Sequence, residues 1–370
     1  MDHRQRELLA SGAVVAIFLL VQLGALALVG PFQEEGLQEV ENTSDPSLSI
    51  FYLAAILVAT GLMLVALKYG GDAILRLVII LSGVYIALFV FQALLPELLT
   101  VSVGGTSLDV LAWAGALGLG GALLVYPEWY VIDAAGILMG IGASALFGIN
   151  FGILPALVLL FALAVYDAIS VYGTEHMLTL ASGVMDMRVP VLFVVPLSLS
   201  YSFLDDGKPE SVQESADETD LDAARLNELG PEGVRELDAD RRDAIDLDDE
   251  AIERLDDDVS EALEAAGGER DALYIGLGDA VMPTVLVASA AFFIETGPSL
   301  SVLGVTATLP AVTAMIGTMV GLVALLWLVQ QGRAHAGLPL LNGGAITGYL
   351  VGALGSGISL VDALGLGNFL

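Results

Sequence analysis

Long apolar runs dominate the chain, and no other feature limits its possible folds so severely. A bilayer-spanning helix needs about 17 to 25 predominantly apolar residues, because in hydrocarbon every backbone polar group must find its partner within the segment. Nine stretches fit that description: Leu8–Val29, Leu48–Leu67, Leu77–Leu95, Val110–Tyr126, Tyr130–Ile149, Gly152–Tyr172, Ala272–Ile294, Ser301–Val329 and Leu338–Leu354. Composition agrees, with 56% apolar and 15% charged residues, where a soluble domain carries roughly 25% charged. The first run exceeds the roughly 7 to 15 apolar residues of a secretory signal and no small-residue cleavage site follows it, so it reads as a retained helix.

An all-α polytopic membrane protein with nine transmembrane helices is therefore expected, and the basic residues test the count. Lys and Arg concentrate in cytoplasmic loops. Arg4 and Arg6 precede the first run, Lys68 and Arg76 flank the link between the second and third, Arg333 lies between the eighth and ninth, and the other eight of the 13 fall between the sixth and seventh. With nine crossings all 13 lie on one side. The N-terminus and the 173–271 loop are then cytoplasmic in a cell membrane, and the C-terminus is extracellular.

The chain thus divides into 1–172 with six spans, 173–271 as a loop, and 272–370 with three spans. From Tyr201 to Asp271 there are 26 Asp or Glu against seven Lys or Arg, a solvated composition that reads as largely disordered. Short helices are possible at Asp222–Glu228 and Ala251–Ala266. The net charge of −31 resembles the surface chemistry of proteins from halophilic archaea. It also argues against nucleic acid as a partner, since that binding neutralises phosphates with Lys and Arg. Just before the acidic stretch, Val189–Phe203 is apolar but too short to span and is broken by Pro190 and Pro196. It reads as a membrane-surface anchor or as a strand able to pair with an extended substrate.

The chain has no Cys and only three His, His3, His176 and His335, so thiolate sites and His-rich metal centres are excluded and no metal is expected. His176, beside Glu175, reads as interfacial. Ser and Thr have no His or Lys partner at membrane depth, which disfavours a serine nucleophile. Chemistry must then come from carboxylates, which are costly in a bilayer and are functional hypotheses by default. Asp72, Glu97, Asp109, Asp133, Glu295 and Asp362 lie at or near expected helix ends, where water or headgroups reach them. Asp167 in the sixth run and Asp279 in the seventh lie inside, about six to eight residues from the same cytoplasmic boundary, or on the order of 10 Å deep at the helical rise.

Facing carboxylates in a low dielectric cannot easily both ionise, so the pair shares one proton. One member can then take a proton from water while the other protonates or polarises a scissile carbonyl, and the roles belong to the coupled pair rather than to either residue. The same pair would suit a proton- or cation-coupled transporter, the alternative reading. No repeat of the Asp-bearing segments supports that alternative. Gly276 and Gly278, flanking Leu277 just before Asp279, leave bare backbone for close approach of another chain.

Tyr166-Asp167, Gly276-Leu277-Gly278-Asp279 and Pro339-Leu340-Leu341, in that order with a long loop between the sixth and seventh runs, resemble the three signatures of the presenilin and signal peptide peptidase family of intramembrane aspartyl proteases. The resemblance implies a presenilin-like fold, with Asp167 and Asp279 as the catalytic pair of a GxGD-type peptidase. It makes Tyr166, Gly276, Leu277, Gly278, Pro339, Leu340 and Leu341 the residues that shape the site and bind substrate. Leu340 stands where that family usually has Ala, which bears on substrate fit more than on catalysis. Implied substrates are transmembrane peptides and proteins, such as signal-peptide remnants or single-span proteins, met within membrane lipid, with no cofactor and no obligatory protein partner. Prepilin peptidases share a Gly-x-Gly-Asp string, but have fewer spans and no counterpart of the Tyr166-Asp167 helix or the Pro339 motif.

Overall fold

The computed structural model describes residues 3–40, 42–95, 99–103, 106–173, 189–197, 226–227, 229–230, 233, 255–256, 258–259, 272–294, 296–302, 305–329 and 336–367. His176, residues 198–203 and nearly all of the acidic loop, with the disorder and short helices expected there, lie outside them.

Ten helices are described: α1 (His3–Glu34), α2 (Ser47–Lys68), α3 (Asp72–Leu94), α4 (Val110–Val125), α5 (Trp129–Asn150), α6 (Ile153–Gly173), α7 (Leu277–Phe293), α8 (Leu309–Val329), α9 (Gly337–Gly355) and the single turn α10 (Leu360–Ala363). Seven are long and apolar enough to cross a membrane, while the apolar α4 and α7 are shorter. The expectation of an all-α chain needs correction. Six short strands, β1 (Thr100–Val103), β2 (Thr106–Asp109), β3 (Leu192–Pro196), β4 (Ala272–Gly276), β5 (Ser299–Val302) and β6 (Val305–Thr308), form three two-stranded antiparallel sheets.

Two of these sheets move helix starts. The expected span from Ser301 begins instead at Leu309, because Ser299–Thr308 folds back on itself with Ser299 opposite Thr308 and Val302 opposite Val305. Pro310 then takes the second position of α8, where its missing N–H is harmless. The expected span from Ala272 begins instead at Leu277. Ala272–Gly276 pairs with Leu192–Pro196, and the Leu277 N–H continues the ladder by donating to the Val191 carbonyl at 2.9 Å. Within Val189–Phe203, Leu192–Pro196 is thus a strand preceded by a tight turn at 190–191, and its partner is the chain's own β4.

α7 forms the hub of the bundle. Its residues Val285–Ala290 are all buried, in cores shared with α6, α8 and α9 on one side and α1, α3 and α5 on the other. Small side chains allow this crowding: a Cβ added at Gly148 of α5 would collide with Ala288. The tightest seam joins α8 and α9, where Gly317 and Gly321 face Gly344, Gly348 and the Leu340 carbonyl so closely that an added Cβ would strike backbone. Small residues four apart are how helices approach in lipid, where apolar burial alone gives no preference for a neighbouring helix over lipid tails. At the periphery α2 buries only Ser49, whose hydroxyl donates to the Pro155 carbonyl of α6 at 2.7 Å.

Candidate active site

Asp167 is in the fourth turn of α6 and is 6% exposed. The preceding turns anchor it: Leu157, Leu160 and Leu163 are buried against α7, α8 and α9. A second tie lies deeper in the bundle, where the Asn342 Nδ2 of α9 donates to the Leu160 carbonyl at 2.9 Å.

Asp279 is reached differently. It lies in the first turn of α7, directly after β4, rather than two turns inside a continuous helix as expected. The start of a helix leaves its first N–H groups free of internal partners. Gly276, the N-cap, is extended with φ −61° and ψ 133°, and a Cβ there would lie 3.3 Å from Asp279 Oδ2. Among the described residues, a Cβ at Gly278 would meet nothing within 4 Å beyond its own helical turn. Of the two glycines, Gly276 is confined by the carboxylate and Gly278 faces open space. Leu277 packs inward, with its Cδ1 3.4 Å from where a Gly140 side chain would start.

The two carboxylates converge on the first turn of α9. Asp167 Oδ2 accepts the Leu338 N–H at 3.0 Å, with the Gly337 N–H also directed at it. From the other side, a Cβ on Gly337 would lie 3.5 Å from Asp279 Oδ2 and 3.3 Å from Leu325 Cδ2. Pro339, third in α9, donates no N–H and leaves the turn open at that point. Leu341 is fully buried with Leu322, Leu325 and Ala280, while Pro339 and Leu340 are half-buried. Tyr166 is exposed, about 100° around α6 from its neighbour Asp167, so it borders the site without joining the pair. Gly337, Leu338 and Asn342 were not singled out from sequence. The Gly two residues before Pro339 was the available signal, and a backbone donor such as Leu338 N–H leaves no mark in side-chain identity.

Asp133 departs from expectation. It was placed at a helix end reached by water, yet it is 8% exposed and accepts the Val194 N–H of β3 at 2.8 Å. Asp109 is equally buried at 8% exposed, though it does cap a helix, accepting the Leu111 N–H of α4 at 3.0 Å. Glu97, Glu295, Arg333 and His335 lie outside the described residues. Among the described residues no group of three or more His, Cys, Asp or Glu is arranged to hold a metal.

The structure is thus a bundle of helices long and apolar enough to cross a membrane, with two acid side chains brought to one helix start. The family model for signal-peptide peptidase, presenilin aspartyl protease matches residues 15–358, and the chain belongs to that family of multi-pass intramembrane aspartyl proteases. Solved structures agree. A presenilin family intramembrane aspartate protease in space group C222 is similar at 28% identity and TM-score 0.55, over 93% of this chain and 98% of that one. The P2 form matches at 29% identity and TM-score 0.53, over 92% and 96%. Among curated protein sequences, none matches.

Proposed function

We propose that Asp167 and Asp279 are the catalytic pair of a GxGD-type intramembrane endopeptidase, and that water is its nucleophile. The observation that supports this most directly is their convergence on the Gly337–Leu338 turn. One carboxylate takes a proton from water as the oxygen attacks the scissile carbonyl carbon, and the other, protonated, gives its proton to the carbonyl oxygen. Return of a proton to the amide nitrogen then releases the amine and leaves a carboxylic acid. Leu338 N–H fixes the orientation of Asp167 for this exchange. No cofactor is used.

The substrate class we infer is a single transmembrane helix, such as a signal-peptide remnant, recognised in lipid. Its scissile bond is shielded by helical hydrogen bonds until the segment unwinds, and the freed backbone groups then need partners. β3 is a poor candidate, because one edge pairs with β4 and the other is held at Val194 by Asp133. The side of β4 away from β3, adjoining Gly276 and the open space at Gly278, suits an added strand better. In this reading Tyr166, Pro339, Leu340 and Leu341 shape the site from the α6 and α9 side, Leu341 from within the core. In the same reading α4 and α7 also cross the membrane, with their neighbours continuing the helix ends. That makes nine spans, with the N-terminus and the 173–271 loop in the cytoplasm.

Incubating the detergent-solubilised protein with a single-span peptide tests the proposal. Asp167→Asn and Asp279→Asn should each lower cleavage by about a thousandfold or more. Cleavage that survives either change rejects the pair as the catalyst.

A further inference from the structure

β3 is held on every side. Its Phe193, Val194 and Val195 are all nearly fully buried. Phe193 and Val195 pack with Phe18 of α1, Ala280 of α7 and Leu341 of α9. Val194 points the other way, among Ile80 of α3, Leu123 of α4, and Ile132 and Ala135 of α5. The hydrogen bond from Leu277 N–H to the Val191 carbonyl sets the parity of the ladder. Residues 191, 193 and 195 address β4, and 192, 194 and 196 address the outer edge.

That outer edge has few donors, because Pro196 has no N–H. Val194 N–H gives its hydrogen bond to Asp133, one turn into α5. One turn further along α5, Gly136 admits the Phe193 ring, since a Cβ there would lie 2.9 Å from Phe193 Cε1. Through the ladder, Leu192 stands opposite Gly276, and Gly276 borders the Asp279 carboxylate.

We infer that Asp133 is a positioning residue that fastens β3 to α5 by its outer edge, so that the two-stranded β3–β4 sheet delivers Asp279 to a fixed place and β3 offers no second edge to an incoming chain. A neutral apolar side chain would fill the volume but leave Val194 N–H buried without an acceptor. The inference rests on the Asp167 and Asp279 assignment for its catalytic consequence, while the hydrogen bond itself can be tested without activity.

Two variants of the full-length protein decide the matter: Asp133→Leu, which removes the acceptor on the same branched side-chain skeleton, and Asp133→Asn, which keeps an oxygen at the same reach. Amide exchange at Val194 should quicken by at least about tenfold in Asp133→Leu, the size expected when a buried N–H loses its partner, and change little in Asp133→Asn. With a single-span peptide, Asp133→Leu should spread the cuts over neighbouring bonds, and Asp133→Asn should restore the wild-type product pattern. Loss of folded enzyme would scale that pattern down without shifting it, so melting temperature is measured alongside. A folded Asp133→Leu protein with wild-type exchange and product pattern overturns the inference. So does an Asp133→Asn protein as impaired as Asp133→Leu. Should the wild-type protein cut nothing, the catalytic assignment fails, while exchange at Val194 still judges the Asp133 contact.

Discussion

The two aspartates arrive at one place by different means. Asp167 sits four turns into α6, fixed by leucines packed against α7, α8 and α9 and by the Asn342 tie to Leu160. Asp279 sits in the first turn of α7, fixed by the preceding strand β4, whose partner β3 is buried on both faces. One carboxylate depends on helix packing and the other on a strand-to-helix junction. Only at such a junction does the chain expose backbone beside the acid, as Gly276 and Gly278 do, which is what a peptide substrate must reach.

If α6 depends on packing against α9, the largest effect should come from prying α9 off its neighbour α8. Gly348→Leu drives a side chain into the Thr313 carbonyl region of α8. It should cost about 3 kcal/mol or more, read as a lowered melting temperature in detergent with cleavage lost in parallel. A normal melting temperature would mean that the seam yields and that Asp167 does not depend on it.

Asn342→Ala acts on α6 more locally. Its buried Nδ2 donates to Leu160, and its Oδ1 has no partner among the described residues. Loss of the donor should destabilise by about 1 kcal/mol and lower cleavage by a comparable factor. Unchanged stability would leave leucine packing alone to hold α6.

The same contrast governs what could be read from sequence. Asp167 was placed correctly in α6 because a continuous apolar run announces a helix, and counting residues along it gives position. The start of α7 was misplaced because Ala272-Leu273-Tyr274-Ile275-Gly276 is apolar throughout. In a chain where both faces of every element are buried or in lipid, the period-2 signal of a strand disappears. Ser299–Thr308 was more legible: Ser and Thr alternate with Val, Leu and Ala around Leu303-Gly304, and strand alternation was available there. The burial of Asp133 was missed for another reason. Its distance from a helix end was counted along α5, whereas its burial comes from β3, about 60 residues away in the chain, and no local count reveals that. The pairing of Asp167 with Asp279 came from matched depth together with the three short motifs, and the first turn of α9 as their meeting point came only from the fold.

At the junction itself, Gly276→Ala places a methyl 3.3 Å from Asp279 Oδ2, where the carboxylate must shift by a few tenths of an ångström. Cleavage should fall about tenfold through kcat, a displacement cost of roughly 1.4 kcal/mol at the transition state, while melting temperature changes little. The matching change in α6, Ala168→Gly, adds nothing beside Asp167 and should act only through helix propensity. If Gly276→Ala keeps full activity, the junction tolerates movement and the β3–β4 pairing is not what fixes Asp279.

Gly278→Ala should have the smallest effect on the fold and is the sharpest test of access. Among the described residues nothing beyond its own helical turn lies within 4 Å of the added methyl, and Ala in place of a helical Gly should stabilise α7 by about 0.5–1 kcal/mol. A variant that melts higher yet cleaves more slowly, with KM raised more than kcat is lowered, would place the substrate backbone against this glycine. The two glycines then separate cleanly: Gly276 leaves room for the acid and Gly278 leaves room for the peptide. A variant that is more stable and fully active would move the approach of the substrate away from β4 and toward the Pro339–Leu340 side of the pair, where the half-buried Leu340 would be the residue to shorten next.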